Sequence, residues 1–303
     1  MPRQARLKIE KDEAWYHLYN RINARKDEYP LAECQGAQDK FIELMNFYAR
    51  AFFCDIGGYS VMGNHYHIVV RFEAPRRVAK KELLERAMLI YPNSEDVLIG
   101  WSDERWSRFK ERLFDVSELM RNIHQAFAKW FNYATQRRGR VWAERFKSTI
   151  LQDEKAIIDC LTYVDLNPVR AKLVKKPEDY KYGSYHLRDM VKDVSLLDMR
   201  TIMGIESLAE ARREYRRGLY YKGNIVTKEN QDWIDDEVLR EEERHGFASR
   251  GLFCKRVRHF TRGLVLAKDQ HIATWLDRLK GQGLYRRRVN PAGLAQCLYS
   301  AIR

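Results

Sequence analysis

Two imidazoles stand one residue apart at His65-Tyr66-His67, after a turn at Gly63-Asn64 and inside the β-rich apolar run of residues 57–72. Residues there alternate as in a half-buried strand, where side chains at i and i+2 share a face. His65 and His67 then point the same way and can supply two ligands of a divalent cation, while Tyr66, Ile68 and Val70 pack on the opposite side. Taken alone, the commoner fate of such a pair is a hydrogen bond in the core. A second set of chemically able groups lies in Thr162-Tyr163-Val164-Asp165-Leu166-Asn167-Pro168-Val169-Arg170-Ala171, where Tyr163 and Asn167 are four apart and share one face of a helix. The amide oxygen is a hard neutral ligand for Mg²⁺ or Mn²⁺, and a phenolate is a nucleophile for a phosphodiester. Alone, each has a plain reading: a packed Tyr, and an Asn that ends a helix before Pro.

The elements that must position these groups are legible in order. Residues 14–23 alternate bulky and polar side chains and make a first strand, on which His17 reads as structural. Residues 38–53 have helical spacing, with Phe41, Leu44, Met45, Tyr48, Ala49 and Phe52 on one stripe. Residues 55–61 and 65–72 form a hairpin around Gly63-Asn64. Residues 75–112 are rich in charge and Trp, with a helix at 80–90, and read as an insertion that covers or extends a binding surface. Asp115 opens a long amphipathic helix whose Leu119, Ile123, Phe127, Trp130, Phe131 and Ala134 face the core. It ends at a basic tip, residues 136–140, that suits a phosphate backbone, although a solvated loop is the commoner fate of such a run. Residues 141–151 form the next strand, with Arg145 and Lys147 on one face and Trp142, Phe146 and Ser148 on the other. A helix follows from its N-cap Asp153 to about Leu166, closed by Asn167-Pro168. This order predicts an α+β fold: an antiparallel sheet with its helices mainly on one face, of ferredoxin-like kind.

The chain divides into a catalytic domain at residues 1–190 and a mainly helical, basic C-terminal region at 191–303. In the latter, helical patterns run over 195–203, 207–220, 228–245 and 268–279, with a short strand at 252–260. Basic patches at Arg212-Arg213, Arg216-Arg217 and Arg286-Arg287-Arg288 give it a nucleic-acid-facing side, though solvated helix faces would produce much the same pattern. The 303 residues carry a formal net charge of +13, with seventeen Tyr and seven Trp among the basic residues. That surface suits a polyanion with stackable bases better than a membrane, for which no apolar run is long enough. The basic N-terminus is followed by no apolar signal segment, so the expected location is the cytoplasm. Cys34, Cys54, Cys160, Cys254 and Cys297 lack Cys-x-x-Cys spacing and read as reduced thiols, neither a zinc cluster nor a disulfide framework. There is no phosphate-binding Gly-x-x-x-x-Gly-Lys-Ser/Thr loop, hence no expected nucleotide cofactor.

Together the motifs resemble a known family. Residues 58–70 (GYSVMGNHYHIVV) are similar to the His-hydrophobic-His (HUH) motif of single-tyrosine transposases. Residues 142–148 (WAERFKS), 163–174 (YVDLNPVRAKLV) and 177–185 (PEDYKYGSY) resemble the branch called REP-associated tyrosine transposases. The resemblance covers roughly residues 10 to 190, and the stretch 259–266 is similar to the tail of longer members. It implies that His65 and His67 are paired metal ligands, that Asn167 takes the third place, and that Tyr163 is the nucleophile. The activity it implies is metal-dependent (Mg²⁺ or Mn²⁺) cleavage and transfer of single-stranded DNA, as in DNA transposition and recombination. A 5′-phosphotyrosine and a free 3′-OH would form, and the bond energy kept in the covalent link would let strands rejoin without ATP. The implied partner is a short palindromic repeat folded as a DNA hairpin. Arg21, Arg145, Lys147 and Arg170 are candidate phosphate contacts around the site. Tyr66 departs from the usual aliphatic or Met residue between the histidines, and the long 75–112 insertion bears on the path of bound DNA. The alternative is a catalytically inactive DNA- or RNA-binding regulator derived from such an enzyme, against which the complete His, His, Tyr, Asn set argues. Replication initiators and relaxases normally carry further domains or paired tyrosines in the helix, where Tyr163 stands alone. Monomer and homodimer are both open.

Overall fold

The alternation along the first strand places Tyr16 and Leu18 on one side and His17 and Tyr19 on the other, and the sheet built around it is packed on both faces. The computed structural model describes residues 7–25, 27–190, 196–225, 232–244, 263–268, 275, 287–289 and 298–302. Strand β1 (Ala14–Arg21) leads through α1 (Pro30–Glu33) and α2 (Ala37–Ala51) to the hairpin of β2 (Cys54–Val61) and β3 (His65–Phe72). Helices α3 (Lys80–Ile90), α4 (Glu95–Ile99), α5 (Asp103–Leu113) and α6 (Val116–Ala134) then precede β4 (Lys147–Leu151). After β4 come α7 (Glu154–Asp165), α8 (Asn167–Arg170), α9 (Ser184–Met190), α10 (Met199–Met203), α11 (Leu208–Asn224) and α12 (Asp236–Arg244). The last described elements are β5 (Gly263–Lys268), β6 (Arg287–Val289) and β7 (Leu298–Ile302).

β1 pairs antiparallel with β3 on one side and β4 on the other, and β3 pairs antiparallel with β2. The resulting order β2-β3-β1-β4 is the split βαβ arrangement expected of a ferredoxin-like α+β fold. On one face Phe41 of α2 and Ile123, Phe127 and Phe131 of α6 pack against Tyr16, Leu18, Tyr66 and Ile68. On the other, Ala156, Cys160 and Val164 of α7 join Val69, Leu151 and the Ala211, Tyr215 and Leu219 stripe of α11. Helices therefore lie on both faces, where the sequence pattern suggested mainly one. The reason is that α7 and α11 bring an apolar stripe of their own, which the exposed sheet face beside Val69 buries.

Two further departures concern the insertion and the C-terminal region. Leu83, Ala87, Leu98, Trp106, Phe109 and Leu113 of α3 to α5 are buried in the same core as Phe41. The insertion thus builds onto α2 and α6 and does not cover the face that carries the imidazoles. Beyond residue 190 the described residues hold α10, α11 and α12, but also strands that continue the sheet: β5 lies parallel to β4, and β7 and β6 follow. Most of the described residues there are helical, and the added strands were not foreseen because pairing such as that of Ile150 with Val265 is a long-range contact that no local pattern records. The strand expected at 252–260, and all of the 268–279 helix except residues 268 and 275, lie outside the described residues.

Candidate active site

The register of β1 against β3 gathers the site. Tyr19 lies opposite His67, Arg21 opposite His65 and His17 opposite Val69, so all six side chains belong to the face that meets α7. The His67 ring stacks on His17 (5.1 Å between centroids, 14°) and on Tyr19 (5.0 Å, 28°), while His65 stands nearly perpendicular to it at 5.1 Å. His17 and His67 are each only 1% exposed. On the reverse face Tyr66 is fully buried and its hydroxyl meets Nε2 of His124 at 2.7 Å, so the unusual residue between the histidines packs with its polar end satisfied.

Hydrogen bonds decide what each imidazole can do. Nδ1 of His65 is 2.7 Å from Oδ1 of Asn64, an acceptor only, so His65 donates from Nδ1 and keeps its lone pair on Nε2. Nδ1 of His67 is 3.0 Å from Nε2 of His17, and one ring must donate to the other. When His67 donates, its Nε2 is bare as well, and that atom lies 3.4 Å from Oη of Tyr163. This engagement of Nδ1 is how a partner fixes the tautomer of a ligating histidine.

Tyr163 reaches this point because α7 is held close to the sheet. Asp153 caps the helix, its side chain accepting from the Ala156 N–H (3.0 Å). At Gly58 on β2 an added Cβ would come within 2.6 Å of Leu161 Cδ2 and 3.1 Å of Ser184 Oγ, so only glycine permits this approach. Asn167 does not end the helical course as its position before Pro168 suggested; the chain runs on through Leu166 into α8. Pro168 stands in the first turn, where its missing N–H loses no bond. The four-residue spacing therefore survives, and the Asn167 side chain hydrogen-bonds to both His65 and Tyr163.

Burial dominates the electrostatics. It pushes His65 down to about 4, helped by the Arg21 charge and opposed by the Asn167 hydrogen bond. His67 is driven well below the usual imidazole range by burial and then by His65 and His17. Both rings are neutral donors of electron pairs at neutral pH. The Tyr163 hydroxyl is shifted upward, first by burial and then by Cys160 and Tyr19, with the Asn167 hydrogen bond opposing, so the resting group is a phenol.

The basic residues named from the sequence separate into two groups. Arg21 and Lys147 flank the site: Arg21 sits opposite His65, and the Lys147 ammonium lies 5.8 Å over the Tyr19 ring while pairing with Glu144 at 2.7 Å. Arg145 is exposed in the stretch before β4, which is shorter than the strand expected at 141–151. Arg170 faces away. Its guanidinium donates to the carbonyls of Lys222 (2.8 Å), Ile225 (2.8 Å) and Asp232 (3.2 Å), closing the C-terminal end of α11, so it is a structural cation and not a phosphate contact. Arg216 is likewise held between Glu178 (2.8 Å) and Glu242 (2.7 Å), not turned toward nucleic acid. The exposed basic tip at 136–140 continues into a segment bonded to the end of β1, with Asn23 N–H to Val141 O at 2.7 Å and Ala143 N–H to Arg21 O at 3.0 Å. Sequence reasoning missed His17 and Tyr19 as members of the site; the alternation that put them on one strand face was the available signal.

Comparison with known proteins yields one finding at the level of structure. A solved transposase is similar. It is the REP-associated tyrosine transposase bound to a REP hairpin, with a TM-score of 0.41 and 16% identity over 65% of this chain and 92% of that chain. No protein-family model and no curated protein matches the chain.

Proposed function

We propose that the protein is a metal-dependent endonuclease and strand transferase of single-stranded DNA, with Tyr163 as nucleophile. The observation that carries this is the 3.4 Å approach of Tyr163 Oη to His67 Nε2 within a pair of imidazoles whose Nδ1 atoms are both engaged. The donor set fits a hard divalent ion with open positions: two neutral imidazoles and the Asn167 amide on one side of a half-buried hydroxyl. The Asn167 amide oxygen is the third ligand in this reading. His17 is given the outer place, since its Nε2 meets Nδ1 of His67 at 3.0 Å.

When bound, Mg²⁺ or Mn²⁺ would polarise a phosphoryl oxygen and favour the charged form of a nearby phenol. The chain's own groups do the rest. His65, His67 and Asn167 set the anchoring point; Asn167 also holds the Tyr163 hydroxyl in place; Arg21 and Lys147 draw the phosphate backbone across the face. In-line attack of Tyr163 Oη on the scissile phosphorus, its proton passing to solvent, forms the 5′-phosphotyrosine as the bond to the 3′-oxygen breaks, and that oxygen takes up a proton from solvent. A second 3′-hydroxyl can reverse the step with no external energy source. Single-stranded DNA carrying a palindromic hairpin is the substrate of choice by likeness of the motifs to the family named above, and the basic, aromatic surface suits it.

The test is incubation of end-labelled hairpin-bearing strands with the protein and Mg²⁺ or Mn²⁺. A denaturation-resistant protein–DNA adduct is expected from the unaltered chain and none from Tyr163→Phe. DNA binding with no adduct under any metal would leave a non-cleaving binding protein instead.

A further inference from the structure

We infer that the cavity between α4 and α5 is a second binding site, built for one nucleotide unit: a planar ring together with its phosphate. The cavity measures about 430 Å³ and is lined by Tyr91, Trp101 and Phe109 and by Arg105, Arg108 and Arg112, with no carboxylate in its lining. That volume lies at the lower end of small-ligand pockets, which suits a nucleoside monophosphate.

Two features of the lining select this chemistry. The rings meet edge to face, Tyr91 with Trp101 at 5.9 Å and 68° and Trp101 with Phe109 at 5.5 Å and 72°, and make an aromatic wall on one side of the cavity. The Arg105 guanidinium lies 4.2 Å over the Trp101 ring, a planar cation on which a base can stack. Along α5 the three arginines are three and four residues apart and share a face. Arg108 pairs with Glu104 at 3.0 Å between two well-exposed side chains, an interaction of little net worth that a phosphate could replace. Arg112 is shared with Glu118 at 2.8 Å, and Arg105 makes no ion pair among the described residues.

An inorganic anion alone would use the arginines and ignore the rings; an apolar ligand would leave the Arg105 guanidinium, which has no ion pair among the described residues, without a counter-charge.

The cavity belongs to the insertion, on the α2 and α6 side of the sheet, and so does not compete with a phosphate at Tyr163. That the nucleotide is part of a strand cut elsewhere on the protein rests on the function proposed above; the site's chemistry does not. The test is calorimetric titration of the full chain with dAMP, deoxyadenosine, inorganic phosphate and a short single-stranded oligonucleotide. Saturable binding of dAMP is expected, at least tenfold tighter than phosphate or the nucleoside, and weakened at least tenfold by Arg105→Ala and by Arg108→Glu, both at exposed positions. Tyr163→Phe should bind dAMP as the unaltered chain does, which keeps this result separate from cleavage. Oligonucleotide tighter than dAMP identifies a strand as the source, and the reverse order identifies a free nucleotide. No saturable dAMP binding, or binding indifferent to both arginine variants, would overturn the proposal.

Discussion

His67 can give its Nε2 to a cation only if its Nδ1 carries the proton, and the ring that receives that proton's hydrogen bond is His17, 3.0 Å away. Under the proposed function His17 is thus a positioning residue. His17→Leu should weaken Mn²⁺ binding by about 10- to 100-fold, the range typical of a lost outer partner. His17→Gln, which keeps an acceptor, should recover much of it; calorimetry on the full chain reads both, and equal affinity in the Leu variant would reduce the pair to simple packing. Arg21 and Lys147 make a second prediction at this scale: replacing either by Ala should lower the salt dependence of DNA binding by about one unit of slope, because each releases about one counterion. Of the site, the histidine pair, Tyr163 and Asn167 were legible because their spacing is local. His17 was not, since its partner lies 50 residues along the chain and only strand register brings them together.

At the scale of elements the site depends on how closely α7 lies on β2. Gly58→Ala would push a methyl into Leu161, a buried side chain, and toward the Ser184 hydroxyl that accepts the Tyr59 N–H at 2.9 Å. Overpacking of this kind costs about 1–3 kcal/mol. A lowered thermal midpoint together with lost cleavage is expected; unaltered cleavage would show that Tyr163 does not need this approach. Arg170→Ala should destabilise the fold by about 2–3 kcal/mol, since charge-assisted bonds to three carbonyls are lost, and leave the salt dependence of DNA binding unchanged. Denaturant midpoints and binding at several salt concentrations separate the two roles. The N-cap of α7 at Asp153 could be read from the sequence because a cap acts within three residues. The role of Arg170 could not, because its partners at Lys222, Ile225 and Asp232 come from a separate helix end.

At the scale of the molecule, two cores share one sheet, and the second is knitted by a polar cluster behind the site. Asp165 there is 3% exposed and receives hydrogen bonds from Tyr215 and from Ser184 (3.3 Å). Burial pushes its carboxyl up to about 6, against the Tyr215, Arg188 and Ser184 contacts that favour the charged form. Between roughly pH 4 and 6 the folded chain keeps a proton that the unfolded chain gives up. This group's contribution therefore grows on acidification from 6 toward 4 and is lost as pH rises through 6, by on the order of 2–3 kcal/mol. The stability difference between the unaltered chain and Asp165→Asn, followed by urea denaturation over pH 4 to 7, should show that slope; a flat difference would mean that Asp165 is ionised throughout. The α+β class and its ferredoxin-like kind followed from element order, whereas β5 to β7 did not, because their pairing is remote in sequence. The proposed function requires that one phenol form the covalent link, and Tyr19, stacked 5.0 Å from His67, is the rival at hand. Mass spectrometry of the nuclease-trimmed, protease-digested adduct tests it most directly: a nucleotide mass on the peptide at Tyr163 is the predicted result, and the same mass on Tyr19 or any other residue would contradict it.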